Sequence, residues 1–245
     1  MTGEETATTP TTATAPEAGT LLVAIDGPAG SGKSSVAREV AKRLNFGMLD
    51  TGAGYRSLAW AALKQGADLG SETAVLEVMD DWAASVTLTL EGPQRVTVFG
   101  EDVTAAIRAP EITGKVSEVS QHPRVRENIN AQFRHWVATS GLAGVVIEGR
   151  DITTVVAPDA PVQILLTASA EVRAKRRAGE LPGLSLEEVA RDLAARDAKD
   201  MAVVDFMNPA EGVTLIDTTE RDFEGSVLAV IEAITHAQQE HERQR

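Results

Sequence analysis

Between Leu21 and Ile25 five apolar residues run without interruption, and Val36, Ala37, Val40, Ala41 and Leu44 then recur at spacings of three and four. The first pattern predicts a strand buried on both faces, the second a helix with one apolar stripe. Phe46–Leu49 predicts another short strand, followed by a helix through Leu58, Ala59, Ala62 and Leu63. Val75, Leu76, Met79 and Trp82 place a further helix over Glu72–Ala84. Then the period drops to two. Val86, Leu88 and Leu90 alternate with Thr87 and Thr89, and after Glu91-Gly92-Pro93-Gln94 the alternation resumes at Val96 and Val98, which predicts a hairpin.

Ile112–Ser120 and Arg124–Ala138 read as helices, the second opened by Pro123. Gly144–Glu148 and Val162–Leu166 are apolar strands, the latter followed by an arginine-bearing helix over Glu171–Arg177. Gly179–Leu184 reads as a loop. Ser185 and Glu188 form a capping-box pattern before a helix with Leu186, Val189, Ala190 and Leu193 as its apolar positions. Val213–Ile216 is the last strand, and Phe223, Val227, Ile231 and Ile234 share one face of a closing helix. Five apolar strands separated by helices predict an α/β fold: a five-stranded parallel sheet with helices on both faces and right-handed crossovers.

Between the first strand and the first helix stands Gly27-Pro28-Ala29-Gly30-Ser31-Gly32-Lys33-Ser34-Ser35, which fits G-x-x-x-x-G-K-[ST]. Glycines there let backbone N–H groups converge on phosphate oxygens, and the helix that follows aims its positive end at the anion. Lys33 adds a point charge at the β and γ phosphates, and Ser34 a hydroxyl suited to Mg²⁺. This is the arrangement of a P-loop NTPase. Asp26, just before the loop, is read as a cap that accepts backbone N–H groups.

Of 245 residues, 43% are hydrophobic, enough for one domain with lobes. A net charge of −13 argues against a nucleic-acid partner, so positive charge must be local. The absence of cysteine excludes disulfides and thiolate metal sites, and His122, His135, His236 and His241 lack ligand spacing. No apolar run is long enough to span a membrane and no signal peptide is read, which predicts a cytoplasmic protein. Residues 1–19, rich in Thr, Ala, Pro and Glu, are expected to be a disordered tail.

Phosphoryl transfer needs positioning and cations around the transferred group. Arg56 and Arg150 follow strands, Arg173 and Arg177 are four apart on one helix, and Arg196 precedes Asp200 at the same spacing. Each alone reads equally as a solvated surface arginine. Glu148, ending an apolar strand, is a candidate for holding Mg²⁺ through water, or else a carboxylate facing solvent.

With IDGPAGSGKSS at the loop, LDTGAGYR through Arg56, HPRVRE at His122–Glu127, EGRDITTVVAPDAPV from Glu148 and RDAKD at Arg196–Asp200, the chain resembles the bacterial cytidylate kinases. The likeness runs from about Leu21 to the closing helix. It implies transfer of the γ-phosphoryl of ATP to CMP and usually dCMP, by a monomer acting on small molecules. The family's parts would be a core (20–50, 140–178, 200–245), an inserted lobe binding the monophosphate (about 51–139) and a short lid (about 179–199). Thr51, where serine is commoner, Arg56 and Arg150 are expected on the acceptor phosphate, with Tyr55 beside them. Ser117, Arg126 and Asp151 would read the base, and Arg196 and Asp200 the sugar. Lys33, Arg150, Arg173, Arg177 and Arg196 would serve catalysis, the lid arginines reaching ATP. Val203 stands where the family commonly has an arginine for the ribose, which leaves the choice between CMP and dCMP open.

Cytosine offers an amine donor beside two acceptors, so a carboxylate with a guanidinium is its complement. Other readings are a P-loop kinase for nucleosides, shikimate or dephospho-coenzyme A, or a nucleotide-dependent switch. The hairpin and the DTGAGYR and EGRD motifs speak against the first. The lack of an N-K-x-D motif speaks against the second.

Overall fold

The computed structural model describes residues 20–180, 183–202 and 205–243. The tail at 1–19, Leu181 and Pro182 of the expected lid loop, and Val203 lie outside the described residues.

The chain opens with β1 (Leu21–Asp26), the phosphate-type loop, α1 (Lys33–Leu44), β2 (Gly47–Asp50) and α2 (Thr51–Lys64). An insertion follows: α3 (Glu72–Ser85), then β3 (Thr87–Leu88), β4 (Val96–Val98) and β5 (Glu101–Asp102), which pair antiparallel. The third strand was not expected, because two exposed acidic residues show no alternation. After a short 3₁₀ turn at Ala106–Arg108 come α4 (Pro110–Thr113), α5 (Val116–Ser120) and α6 (Pro123–Ala138). The single helix expected over Ile112–Ser120 is thus broken at Gly114, a residue that costs a helix interior about 1 kcal/mol. Next are β6 (Gly144–Gly149), a π turn over Ile152–Val156, β7 (Val162–Thr167), α7 (Ala170–Glu180), α8 (Leu186–Met201), β8 (Thr214–Asp217) and α9 (Phe223–Arg243).

The main sheet has the order β2-β6-β1-β7-β8 and every pairing in it is parallel. Parallel pairing puts all the strand C-termini on one edge: Asp26 faces Gly149, and Asp50 faces Glu148. The apolar strands are two-sided. Val23, Ile25, Val146 and Ile164 pack with Val36 and Val40 of α1 and Val227 and Val230 of α9. On the other face Ala24, Val145 and Ile147 join Leu58, Trp82 and Phe133 from α2, α3 and α6.

Some expected core positions are outside it. Leu63, Leu186 and Phe223 are 39%, 43% and 51% exposed, and Ala190 is exposed too, whereas Ala61, Val78 and Val230 are buried. A helical spacing identifies a stripe, but the neighbouring element decides how wide it is. The capping box at Ser185 and Glu188 forms with both of its bonds. His122 is buried with Nε2 2.8 Å from the Leu69 carbonyl, a structural histidine.

Candidate active site

At the end of β1 the backbone turns where a side chain has no room. A Cβ on Gly27 would lie 2.1 Å from the Leu166 carbonyl oxygen, and Gly32, which caps α1, has φ of 88°. No acidic residue occupies the first turn of α1, whose N-terminus faces the cavity. Gly27, Pro28 and Ser31 are buried and shape the loop from beneath. Ala29, Gly30, Gly32, Lys33, Ser34 and Ser35 line a cavity of about 820 Å³.

Glu148 sits beneath Lys33 and Ser34. The Ser34 hydroxyl donates to its Oε1 at 2.6 Å, and Lys33 Nζ is 3.8 Å from its Oε2. Burial lowers the Lys33 pKa to about 8, helped by the Arg150 charge, and burial raises that of Glu148 against the pull of Lys33. Glu148 is 4% exposed, so the solvent-facing reading of it is set aside. Ser34 and Glu148 present oxygen donors side by side. That suits Mg²⁺, which takes few protein ligands and keeps waters and substrate phosphates around it. No group of three His, Cys, Asp or Glu suited to a metal occurs among the described residues.

The rest of the cavity wall is assembled from distant segments. Arg56 on α2 donates to Asp50 Oδ2 at 3.0 Å, and Tyr55 packs edge-on against Phe133 with ring centroids 5.9 Å apart. Burial raises the Tyr55 pKa, so the phenol stays neutral. The Thr51 hydroxyl donates to the Glu148 carbonyl at 2.8 Å, which commits its one proton. Ser117 lines the cavity from α5. Arg126 of α6 donates to Asp151 Oδ2 at 2.6 Å, rather than pairing with Glu118 or Glu127.

Arg150 ties the two parts together: one guanidinium nitrogen donates to the Gly27 carbonyl at 2.7 Å and another lies 2.9 Å from Asp200. Its plane stacks 4.7 Å over the Phe206 ring, which is 1% exposed and which no sequence motif had marked. Arg196 is 4.0 Å from Asp200, and both Arg196 and Arg177 line the cavity. Burial and then the Arg150 charge lower the Arg196 pKa.

Arg173 is not with them. It is 6% exposed, donates to the Ala29 carbonyl at 3.0 Å and to Asp197 Oδ2 at 2.5 Å, and does not line the cavity. In this arrangement it braces the phosphate loop against α8 from behind. Its partner Asp197 had been overlooked. So had Arg108, which lines the cavity 3.9 Å from Asp50 Oδ2 and belongs to a 3₁₀ turn without a recognisable motif. Asp26 does cap backbone N–H groups, but across the sheet: it accepts from Ile152 and Thr153, not from its own loop. Nine cationic side chains and five carboxylates line the cavity among the described residues, in a chain of net charge −13.

That excess of cations meets the N-terminus of α1 where polyphosphate would lie. The family model described as cytidylate kinase matches residues 23–239. The chain belongs to the cytidylate kinase family. Cytidylate kinases of Streptomyces avermitilis and Desulfitobacterium hafniense are 40% and 43% identical to it over 212 and 216 residues, each spanning 86% of this chain and 91% of the relative. Among solved structures, a shikimate kinase from Acinetobacter baumannii overlaps 89% of this chain and 94% of its own at 16% identity and a TM-score of 0.40, too distant to bear on the substrate. A member of the cytidylate kinase family is a nucleotide phosphotransferase, which sets aside the switch reading.

Proposed function

We propose that the protein transfers the γ-phosphoryl group of ATP to CMP, and also to dCMP, with Mg²⁺ bound at Ser34 and, through water, Glu148. The observation that carries the reading is the Arg126–Asp151 pair, 2.6 Å apart, in the wall of the same cavity that Lys33 lines. A carboxylate for the exocyclic amine and a guanidinium for N3 and O2 complement cytosine, and Ser117 lines the same cavity. Uracil presents a carbonyl to Asp151, which keeps its Arg126 bond but loses the donor that the amine would supply, at a cost of about 1–3 kcal/mol.

In this reading the backbone of Gly27–Ser35 and Lys33 hold the β and γ phosphates of ATP. Arg56 and Arg150 hold the acceptor phosphate, with Thr51 limited to accepting while its hydroxyl donates to the Glu148 carbonyl and with Tyr55 walling the site. Arg196 and Asp200 face the sugar, and Arg177 and Arg196 spread cationic charge over the transferred group. Mg²⁺ would neutralise charge on the phosphate oxygens. The attacking oxygen belongs to an ionised phosphate, so the chain need not supply a general base. Lobes at about 51–139 and 179–199 closing on the core would exclude water, which competes as acceptor. Such motion favours a monomer, which we propose works in the cytoplasm.

ADP release measured with CMP, dCMP, UMP, AMP and shikimate tests the reading. CMP and dCMP should lead, with UMP about tenfold or more behind. Equal catalytic efficiency for CMP and UMP would remove the base-reading role, and a preference for shikimate would overturn the proposal.

A further inference from the structure

Asp26 is 2% exposed at the C-terminal end of β1, directly before the first loop glycine. Its carboxylate leaves its own loop alone and reaches over the sheet edge. Oδ1 accepts from the Ile152 N–H at 2.8 Å, and Oδ2 accepts from the Thr153 N–H at 2.8 Å and the Thr153 hydroxyl at 2.7 Å. On the other side of Asp151, Arg150 donates to the carbonyl of Gly27 at 2.7 Å. Two consecutive residues, the last of β1 and the first of the loop, therefore hold the residues immediately after and immediately before Asp151.

Asp151 itself is set at φ −136° and ψ 30°, outside the helical and strand regions. Its carbonyl accepts from the N–H groups of Val155 and Val156 at 2.9 and 3.1 Å, which starts the π turn. Its side chain points to Arg126. Rotate the Ile152–Thr153 backbone and the Asp151 carboxylate moves with it. What fixes that backbone is Asp26, since Asp26 and Gly149 stand opposite one another in the β1–β6 register.

We propose that Asp26 is a positioning residue for acceptor selection: by clamping Ile152 and Thr153 it holds the Asp151 carboxylate in register with the phosphate loop, and so sets the choice of pyrimidine. The proposal rests on the reading of Asp151 as the group that takes the cytosine amine. All three partners of Asp26 are donors, which only a carboxylate accepting through both oxygens can satisfy. An asparagine there turns its NH₂ toward one N–H group or the other. Burial raises the Asp26 pKa, and the hydrogen bonds from Thr153 and Ile152, with the Lys33 charge, offset part of that rise.

The test compares kcat/KM for CMP and for UMP in the full-length enzyme. Asp26→Asn should reduce the CMP-to-UMP ratio about tenfold, the effect of one misplaced buried hydrogen bond, through KM for CMP more than through kcat. KM for ATP should change less than about threefold. Thr153→Val, which removes only the hydroxyl, should reduce the ratio about threefold, and Thr153→Ser should restore it. A purely structural Asp26 would instead lower kcat and thermal stability with the ratio intact, and that result overturns the proposal. If Asp26→Asn does not fold, the Thr153→Val and Thr153→Ser pair decides: an unchanged ratio overturns, a loss restored by serine supports. Asp151→Asn separates the two failures. If it abolishes pyrimidine choice while the Asp26 and Thr153 variants keep it, the positioning role alone is wrong. If Asp151→Asn leaves the choice unchanged, the base-reading role falls and the positioning role falls with it.

Discussion

Two parts of the cavity wall are built in opposite ways. The loop comes from one run of consecutive residues, Gly27–Ser35, whereas the rest draws on α2, α5, α6 and the turn after β6. A phosphate is nearly spherical in its demands, and consecutive backbone N–H groups with a helix dipole behind them meet those demands locally. A base has an edge with donors and acceptors in fixed order, and groups converging on it from several directions cannot come from one short run. Generic recognition is therefore local in the chain, and selective recognition is an achievement of the fold.

The largest expected effect tests the loop. Lys33→Met should cut turnover about 10²–10³-fold, by a factor common to CMP and UMP, because the charge it removes serves the transferred group rather than the acceptor. A factor that differs between the two acceptors would blur the division. Arg177→Ala should likewise lower kcat, by about tenfold or more, while ATP binding weakens much less; an unchanged turnover number would remove Arg177 from the transfer.

Arg173→Ala should act on the scaffold under the loop. Removing the partner of buried Asp197 should cost about 3 kcal/mol of stability, seen as a lower midpoint in urea. Turnover per folded molecule should fall far less than with Arg177→Ala, and the reverse ranking would restore Arg173 to the chemistry. In the rest of the wall, Arg126→Met should raise KM for CMP about tenfold and narrow the gap to UMP, with ATP affinity unaltered; a matching loss for ATP would argue that the two parts are not separable.

The smallest effect is a proton. With Lys33 at a pKa of about 8 in the free protein, an arriving polyphosphate stabilises the ammonium and returns its pKa toward the usual lysine value. Binding at pH 8.5 should then take up about three quarters of a proton, and affinity should decline as pH rises through 8 toward 10. Calorimetry of ATP binding in two buffers of different ionisation enthalpy measures this. Zero uptake would mean that Lys33 is fully charged before the nucleotide arrives. The same lowered pKa gives a stability change of definite sign: the unfolded chain holds that proton more tightly between pH 8 and 10.5, so the Lys33 contribution to stability rises with pH across that window.

Much of this was legible in the residues. The strand, loop and helix around Lys33, both faces of the sheet, the insertion and the capping box all follow from spacing and residue type. Arg173 and Arg177 show where legibility stops. They are four residues apart on one helix, chemically identical, and nothing local separates them; Ala29 and Asp197 claim the first, while the second lines the cavity. Arg108 and Phe206 carried no signal because a lone arginine and a lone phenylalanine are ordinary outside their surroundings.

Along the chain, then, the amino acids by themselves determined the order of the main-sheet strands and their helices, the parallel α/β class and the phosphate loop, because backbone conformation and helix or strand periodicity depend on near neighbours. The pairing of Arg126 with Asp151, of Asp26 with Ile152 and Thr153, and of Arg173 with Asp197 was decided only by the folded sheet. Those groups stand 24 to 127 positions apart, and it is the strand order β2-β6-β1-β7-β8, with burial that makes each unpaired charge costly, that brings them together.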